Sequence, residues 1–141
     1  MRMVLAAAAV MMAGQAAARD CRNGSAEVLS VSDWAAEMGE PVFGSNVVDL
    51  HVTLESALDQ DVRMVDAVLY FDDILGRGIV NLSVDQDARI PAGGSLTQSD
   101  SYQAFAGSDI LRIVTAEQSD IVTTVCVSAV VTASGDVVRF D

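Results

Sequence analysis

The sequence predicts an all-β domain, an antiparallel β-sandwich of about seven strands with an immunoglobulin-like outline. Two observations carry that expectation. Val, Ile, Leu and Thr recur with period two in several separate segments. Turn-forming Gly, Pro, Asn and Asp punctuate those segments about every eight to twelve residues, the spacing of sandwich strands. The Cys–Trp–Cys spacing of a true immunoglobulin domain is absent.

The chain opens with features of a secretory leader rather than of the fold. Arg2 supplies a positive start, residues 4–13 are apolar and uncharged, and Ala16-Ala17-Ala18 is a small-x-small cleavage site. The expected signal peptide is residues 1–18, with Arg19 as the first mature residue. The run is shorter than the roughly 20 apolar residues a membrane span needs, and no second run follows. Lipidation at Cys21 is disfavoured by the Arg19-Asp20 pair before it, where a lipidated cysteine wants small residues. Residues 19–141 then form a single domain of ordinary size. The Ala-rich leader and the absence of Lys fit a GC-rich bacterial genome, so the expected location is periplasmic or secreted.

Taken in order, residues 27–32 form a first short strand on Val28, Leu29 and Val31. Residues 33–39 leave two readings open: a helical turn capped by Asp33, or a strand continuing through Trp34 and Ala36. Gly39, Pro41 and Gly44 mark a loop. Residues 46–55 alternate cleanly, with Val48, Leu50, Val52 and Leu54 on one face, the pattern of a sheet with one wet side. Residues 63–71 are apolar on both faces, with Val65, Ala67, Leu69 and Phe71 alternating with Met64, Val68 and Tyr70, which places this strand centrally. After the Asp72–Gly76 turn, residues 78–84 are a short strand, 85–89 a polar loop, and Pro91-Ala92-Gly93-Gly94 a turn. Residues 95–105 read as a polar edge strand.

Residues 107–117 read equally as strand or as a short helix capped by Ser108 or Asp109, with Ile110, Leu111 and Val114 on one face. Residues 120–132 are a strand with Ile121, Thr123, Val125, Val127, Ala129 and Val131 on one side. Cys126 lies on the other. Ser134-Gly135-Asp136 is a tight hairpin turn leading to a last strand at 137–140.

The order of these parts resembles the small β-sandwich domains of the FxLYD group and of the late-embryogenesis-abundant (water-stress and hypersensitive response) group. The resemblance rests on Phe71-Asp72-Asp73-Ile74-Leu75-Gly76, an aromatic-x-Asp-x-x-Gly turn, and on the Pro91–Gly94 turn. Glu55-Ser56-Ala57 departs from the Asn-Ser/Thr turn usual there, and Asp72 stands where an aromatic is common. The resemblance implies a fold and no activity.

The two cysteines, Cys21 and Cys126, are expected to pair as one disulfide in an oxidising compartment. Because Cys126 points away from the core face, an N-terminal tail can reach it. With 20 carboxylates against eight arginines, the net charge is −12. Such a chain repels nucleic-acid phosphates and anionic membranes. No phosphate-binding glycine motif is present.

Three site readings follow. The first is an interaction module of the cell envelope that binds another envelope or secreted protein without catalysis. It would use the 95–105 edge by β-addition, or Tyr102 and Phe105 as anchors. The second is a Ca²⁺-binding or Ca²⁺-stabilised module. Hairpin topology puts the loop of Asp59 and Asp61 at the same end as the loop of Asp85 and Asp87, and four carboxylates there suit a hard cation. The third is a hydrolase built on His51, the single histidine, with Asp49 and a serine. It lacks a G-x-S-x-G elbow.

Overall fold

The computed structural model describes residues 19–105 and 107–141, so the expected leader at residues 1–18 lies outside the described residues. Seven strands form: β1 Leu29–Met38, β2 Asn46–Ser56, β3 Val62–Asp73, β4 Gly78–Ser83, β5 Ser95–Ala104, β6 Ile121–Thr132 and β7 Val137–Arg139. They divide into a sheet of order β1-β2-β5 and a sheet of order β4-β3-β6-β7, with every pairing antiparallel. The fifth strand returns to pair with the second while the third pairs with the sixth, an immunoglobulin-like path. Here β4 hairpins back onto β3 instead of joining the first sheet as in a constant-type domain. No described helix is long and apolar enough to cross a membrane.

The core lies between the sheets, and β2 shows why the sequence specifies it. Val48, Leu50, Val52 and Leu54 are all buried, and the β2–β5 register runs through ten pairs without a shift. From β3 come Val65, Ala67, Leu69 and Phe71, and from β6 Val125, Val127 and Val130. Trp34 stands edge-on to Phe71, ring centroids 5.3 Å apart, a favourable aromatic geometry. As expected, β3 is central, between β4 and β6.

Two stretches left open by the sequence take one of their two readings, and one strand changes phase, each for a local reason. The first strand starts at Leu29 and runs on to Met38, so residues 33–38 are strand. A register shift between Val31 and Asp33 breaks the alternation that would have shown it, turning Leu29 and Val31, then Trp34 and Ala36, toward the core. In β6 the pairing steps by two positions, from Asp66↔Ala129 to Ala67↔Val127, where a step of one is normal. The extra residue, Ser128, flips the phase, so Val130 is buried where Ala129 and Val131 were expected. Residues 107–117 contain a five-residue helix, α1 Leu111–Thr115, with no side-chain cap from Ser108 or Asp109. Ile110 and Ile113 are buried, and Leu111 and Val114 pack partly buried against the core.

The N-terminal segment pairs along the edge of β6 beyond β7 and then reaches the outer face of the four-stranded sheet. Ser25 and Val127 exchange two backbone hydrogen bonds of 2.9 Å. Gly24 permits this approach: its φ is +146°, and a Cβ there would sit 2.6 Å from the Val127 carbonyl oxygen. Cys21 then bonds Cys126 across a sequence separation of 105, as expected from the parity of β6.

Strand direction sorts the connections into two ends. The links at 57–61, 84–94 and 133–136 share one end. The β1–β2 link (39–45), the β3–β4 link (74–77) and the β5–β6 connection (105–120) share the other, called the loop end below.

Candidate functional site: an apolar loop end

Nine large hydrophobic residues are exposed among the described residues, and six lie at the loop end: Met38, Val42, Phe43, Ile74, Leu75 and Phe105. Each of the three connections there contributes at least one. Scattered single apolar residues are ordinary on a surface, but a concentration on one end is the mark of a contact surface. The opposite end carries none of the nine in its loops.

Phe43 is the most extreme case. Val42 and Ser45 exchange backbone hydrogen bonds of 3.1 and 2.9 Å, closing a two-residue turn over Phe43 and Gly44. Both central residues have positive φ, 49° and 76°. That is the geometry of a type I′ turn, which wants Asn, Asp or Gly at its first central position. An aromatic residue there costs about 1–2 kcal/mol of backbone strain. Phe43 recovers none of it by burial, since its side chain is 100% exposed.

The β3–β4 link is held rigidly, and its scaffold is Asp73. One carboxylate oxygen accepts the N–H groups of Leu75 (2.9 Å) and Arg77 (3.0 Å), and the other accepts Arg112 Nη2 at 3.2 Å. The Arg77 N–H, with the Arg112 guanidinium and the Leu75 N–H, holds the Asp73 carboxyl below its usual range against the opposing effect of desolvation. Ile74 N donates to Asp120 O at 3.1 Å, tying this link to the β5–β6 connection. Leu75 is thereby displayed on an ordered turn at 77% exposure. Around the apolar residues stand exposed carboxylates, Glu37, Glu40, Asp109, Glu117 and Asp120, while Arg112 is engaged with Asp73.

The residues expected from sequence separate into different places. Phe105 falls just past the end of β5, at the loop end, 68% exposed. Tyr102 shares the inward face of β5 with Ala104 and is half-buried at the mouth of a groove between β4 and β5. Burial, with the Asp100 charge and hydrogen bond, pushes its phenol up to about 12. The groove measures about 580 Å³ outside and narrows to the size of one water against Leu50, Leu69 and Leu82. Its polar groups satisfy one another: Asp85 N donates to Gln98 Oε1 at 3.1 Å, and Gln98 Nε2 to Asp100 Oδ2 at 2.7 Å. Asp100 lies on this inward side of β5 at the sheet edge, an arrangement that discourages strand addition.

The four loop aspartates do not converge. The 57–61 link meets residues 90–94: Asp61 Oδ1 accepts Ala92 N at 2.8 Å, and Gly93 N donates to Leu58 O. Asp85 Oδ1 instead accepts Asp87 N at 3.0 Å, closing its own turn. Among the described residues, no group of three or more His, Cys, Asp or Glu side chains is placed to hold a metal ion. The shared end was correctly expected; the side-chain convergence was not.

His51 has different neighbours from those expected. Its Nδ1 lies 2.7 Å from Ser99 Oγ, directly across the β2–β5 pair, and its Nε2 lies 3.8 Å from Glu37 Oε1. Asp49 is taken by the Ser101 hydroxyl. Ser99, His51 and Glu37 thus line up on an open sheet face. The carboxylate is beyond hydrogen-bond range, and all three side chains are exposed to water.

The chain matches no family model and no curated protein. Among solved structures it is similar to the X-ray structure of Northeast Structural Genomics Consortium target SoR45, with a TM-score of 0.42 and 11% identity over 82% of each chain.

Phe43, Ile74 and Leu75 escaped sequence reasoning because they sit in Gly- and Asp-bearing segments that read only as turns. The available signal was an aromatic directly before Gly44, where a hairpin turn wants a small polar residue.

Proposed function

We propose that this protein is an exported, non-catalytic accessory domain that docks another protein of the cell envelope through its loop end. The observation that carries the reading is Phe43, fully exposed on a strained turn whose geometry favours Asn or Gly. A strained conformation that gives the fold no burial points to a function outside the fold. The neighbouring Leu75, Ile74 and Phe105 supply apolar area around it. The rim of carboxylates and the net charge of −12 disfavour an anionic bilayer and a second copy of the chain, and favour an apolar receptacle bordered by Arg or Lys.

The test is a photo-crosslinking residue placed at position 43 or 75 of the full chain in the exporting cell. The reading expects one discrete protein adduct, weakened when Glu37 and Glu40 are changed to Lys. An adduct insensitive to that charge change keeps the docking and removes the basic rim. Lipid adducts, a self-adduct or none at all would overturn it.

A further inference from the structure

We propose that Arg63 and Arg89 clamp the phosphate group of a small phosphomonoester, in a cavity at the end of the sandwich opposite Phe43 and independent of the docking surface there. Val62 and Ile90 exchange two backbone hydrogen bonds of 2.9 and 3.0 Å, which brings together the arginine that follows the one and the arginine that precedes the other. Both line a cavity of about 200 Å³ with Asp61, Pro91 and Ala133. Arg63 owes its place to a β-bulge. The β3–β6 register steps from Val62↔Thr132 to Met64↔Val131, which leaves Arg63 as the extra residue on β3, and a bulge re-aims the side chain it carries. Arg63 Nε donates to the Thr132 carbonyl oxygen at 3.2 Å, and a Cβ on Gly135 would sit 3.8 Å from Arg63 Nη2, so the guanidinium lies beside the 133–136 turn. That bond uses the Nε donor and leaves the terminal nitrogens to a ligand.

The charge arrangement asks for an anion. The chain has 20 carboxylates against eight arginines, yet neither Arg63 nor Arg89 forms an ion pair among the described residues, whereas Arg19 and Arg112 each do. Carboxylates of the surrounding loops are turned to other donors. Asp61 Oδ1 accepts Ala92 N at 2.8 Å, Asp85 Oδ1 accepts Asp87 N at 3.0 Å, and Asp136 Oδ2 accepts the Ser134 hydroxyl at 3.1 Å. Two like charges on neighbouring chain segments repel, and an anion between them turns that repulsion into attraction. A guanidinium grips phosphate oxygens through two parallel N–H···O bonds. Two guanidinia match a phosphomonoester, which is close to doubly charged at neutral pH, better than a singly charged carboxylate. The net charge of −12 repels polyanions and anionic bilayers, so the phosphate has to arrive on a small molecule. Pro91 and Ala133 give its carbon skeleton an apolar wall.

The test titrates the full chain, at low salt and neutral pH, with inorganic phosphate, glycerol phosphate and acetate, read by calorimetry and by the arginine Nε–H resonances. Both phosphates should bind saturably and shift Arg63 and Arg89 alone, with acetate weaker by about tenfold or more. Arg63→Gln and Arg89→Gln should each weaken glycerol phosphate by roughly tenfold or more, since each removes a charge-assisted pair. Both side chains are exposed, and thermal unfolding of each variant checks that the fold is kept. Arg139→Gln removes an exposed arginine of β7 that does not line the cavity and should leave the affinity unchanged. A phosphoserine peptide should bind no tighter than glycerol phosphate. No saturable binding, shifts spread over every arginine, equal binding of acetate, undiminished binding in either cavity variant, or a preference for the peptide would overturn the proposal.

Discussion

Cys21 and Cys126 are joined with their Cα atoms 5.5 Å apart, tying the first turn of the described chain to the outer face of a strand near its end. The bond closes a loop of 105 residues, and a loop that long stabilises by about 4–5 kcal/mol in the chain-entropy treatment. Replacing both cysteines with serine should lower Tm by about 10 °C or more. Reductant should do the same to the native chain and nothing to the double variant. Scanning calorimetry with and without reductant checks both.

The Asp73 carboxyl titrates below its ordinary value when folded. A group depressed in the folded state contributes stability above its unfolded pKa of about 3.9 and loses it as pH falls through the folded value. Urea unfolding should therefore show stability falling steeply below about pH 4. Asp73→Asn keeps an oxygen for the Leu75 and Arg77 N–H groups but gives up the ionic contact with Arg112. It should weaken the fold at pH 7 and flatten that acid limb.

Tyr102 gives the opposite limb. Its folded pKa is raised to about 12, so its contribution is intact below the unfolded value of about 10 and is lost as pH rises from 10 towards 12. Tyr102→Phe should flatten the stability profile in that window. Absorbance titration of the phenols should show Tyr102 ionising only as the protein unfolds.

Excess Ca²⁺ followed by chelator should leave Tm unchanged within about 1 °C, because Asp61 and Asp85 already serve separate turns. A bound ion at about 100 times its Kd would raise stability by about 2.7 kcal/mol, an effect thermal unfolding resolves easily. A shift of that size, lost in Asp59→Asn or Asp87→Asn, would restore the acidic loops as a site.

His51→Ala should leave any hydrolytic activity of the preparation unchanged. A Ser99–His51–Glu37 site would need a closer carboxylate and donors for a developing oxyanion. Ester hydrolysis that vanished in both His51→Ala and Ser99→Ala would overturn that reading.

How much of this was legible in the sequence depended on unbroken alternation. β2 has no register shift against β5, and all four of its core residues were readable. β1, β3 and β6 each carry a shift, at Val31/Asp33, Val62/Met64 and Asp66/Ala67, and only long-range pairing reveals which residue is extra. The disulfide was legible because Cys126 lies before the Ser128 bulge, where parity still held. The calcium grouping failed because sharing an end does not fix which loops touch: residues 57–61 meet 90–94, leaving 85–87 aside. Tyr102 and Phe105 looked alike in sequence, yet the end of β5 at Ala104 separates them, one turned inward and one free.

If Phe43 is kept for a partner at the expense of the fold, Phe43→Asn separates the two by reading stability and docking in the same protein. Asn suits the left-handed turn and nothing buried is lost, so the variant should gain about 1 kcal/mol, or about 3–5 °C in Tm, and lose the adduct formed from position 75. A variant that is no more stable and still forms the adduct would contradict it.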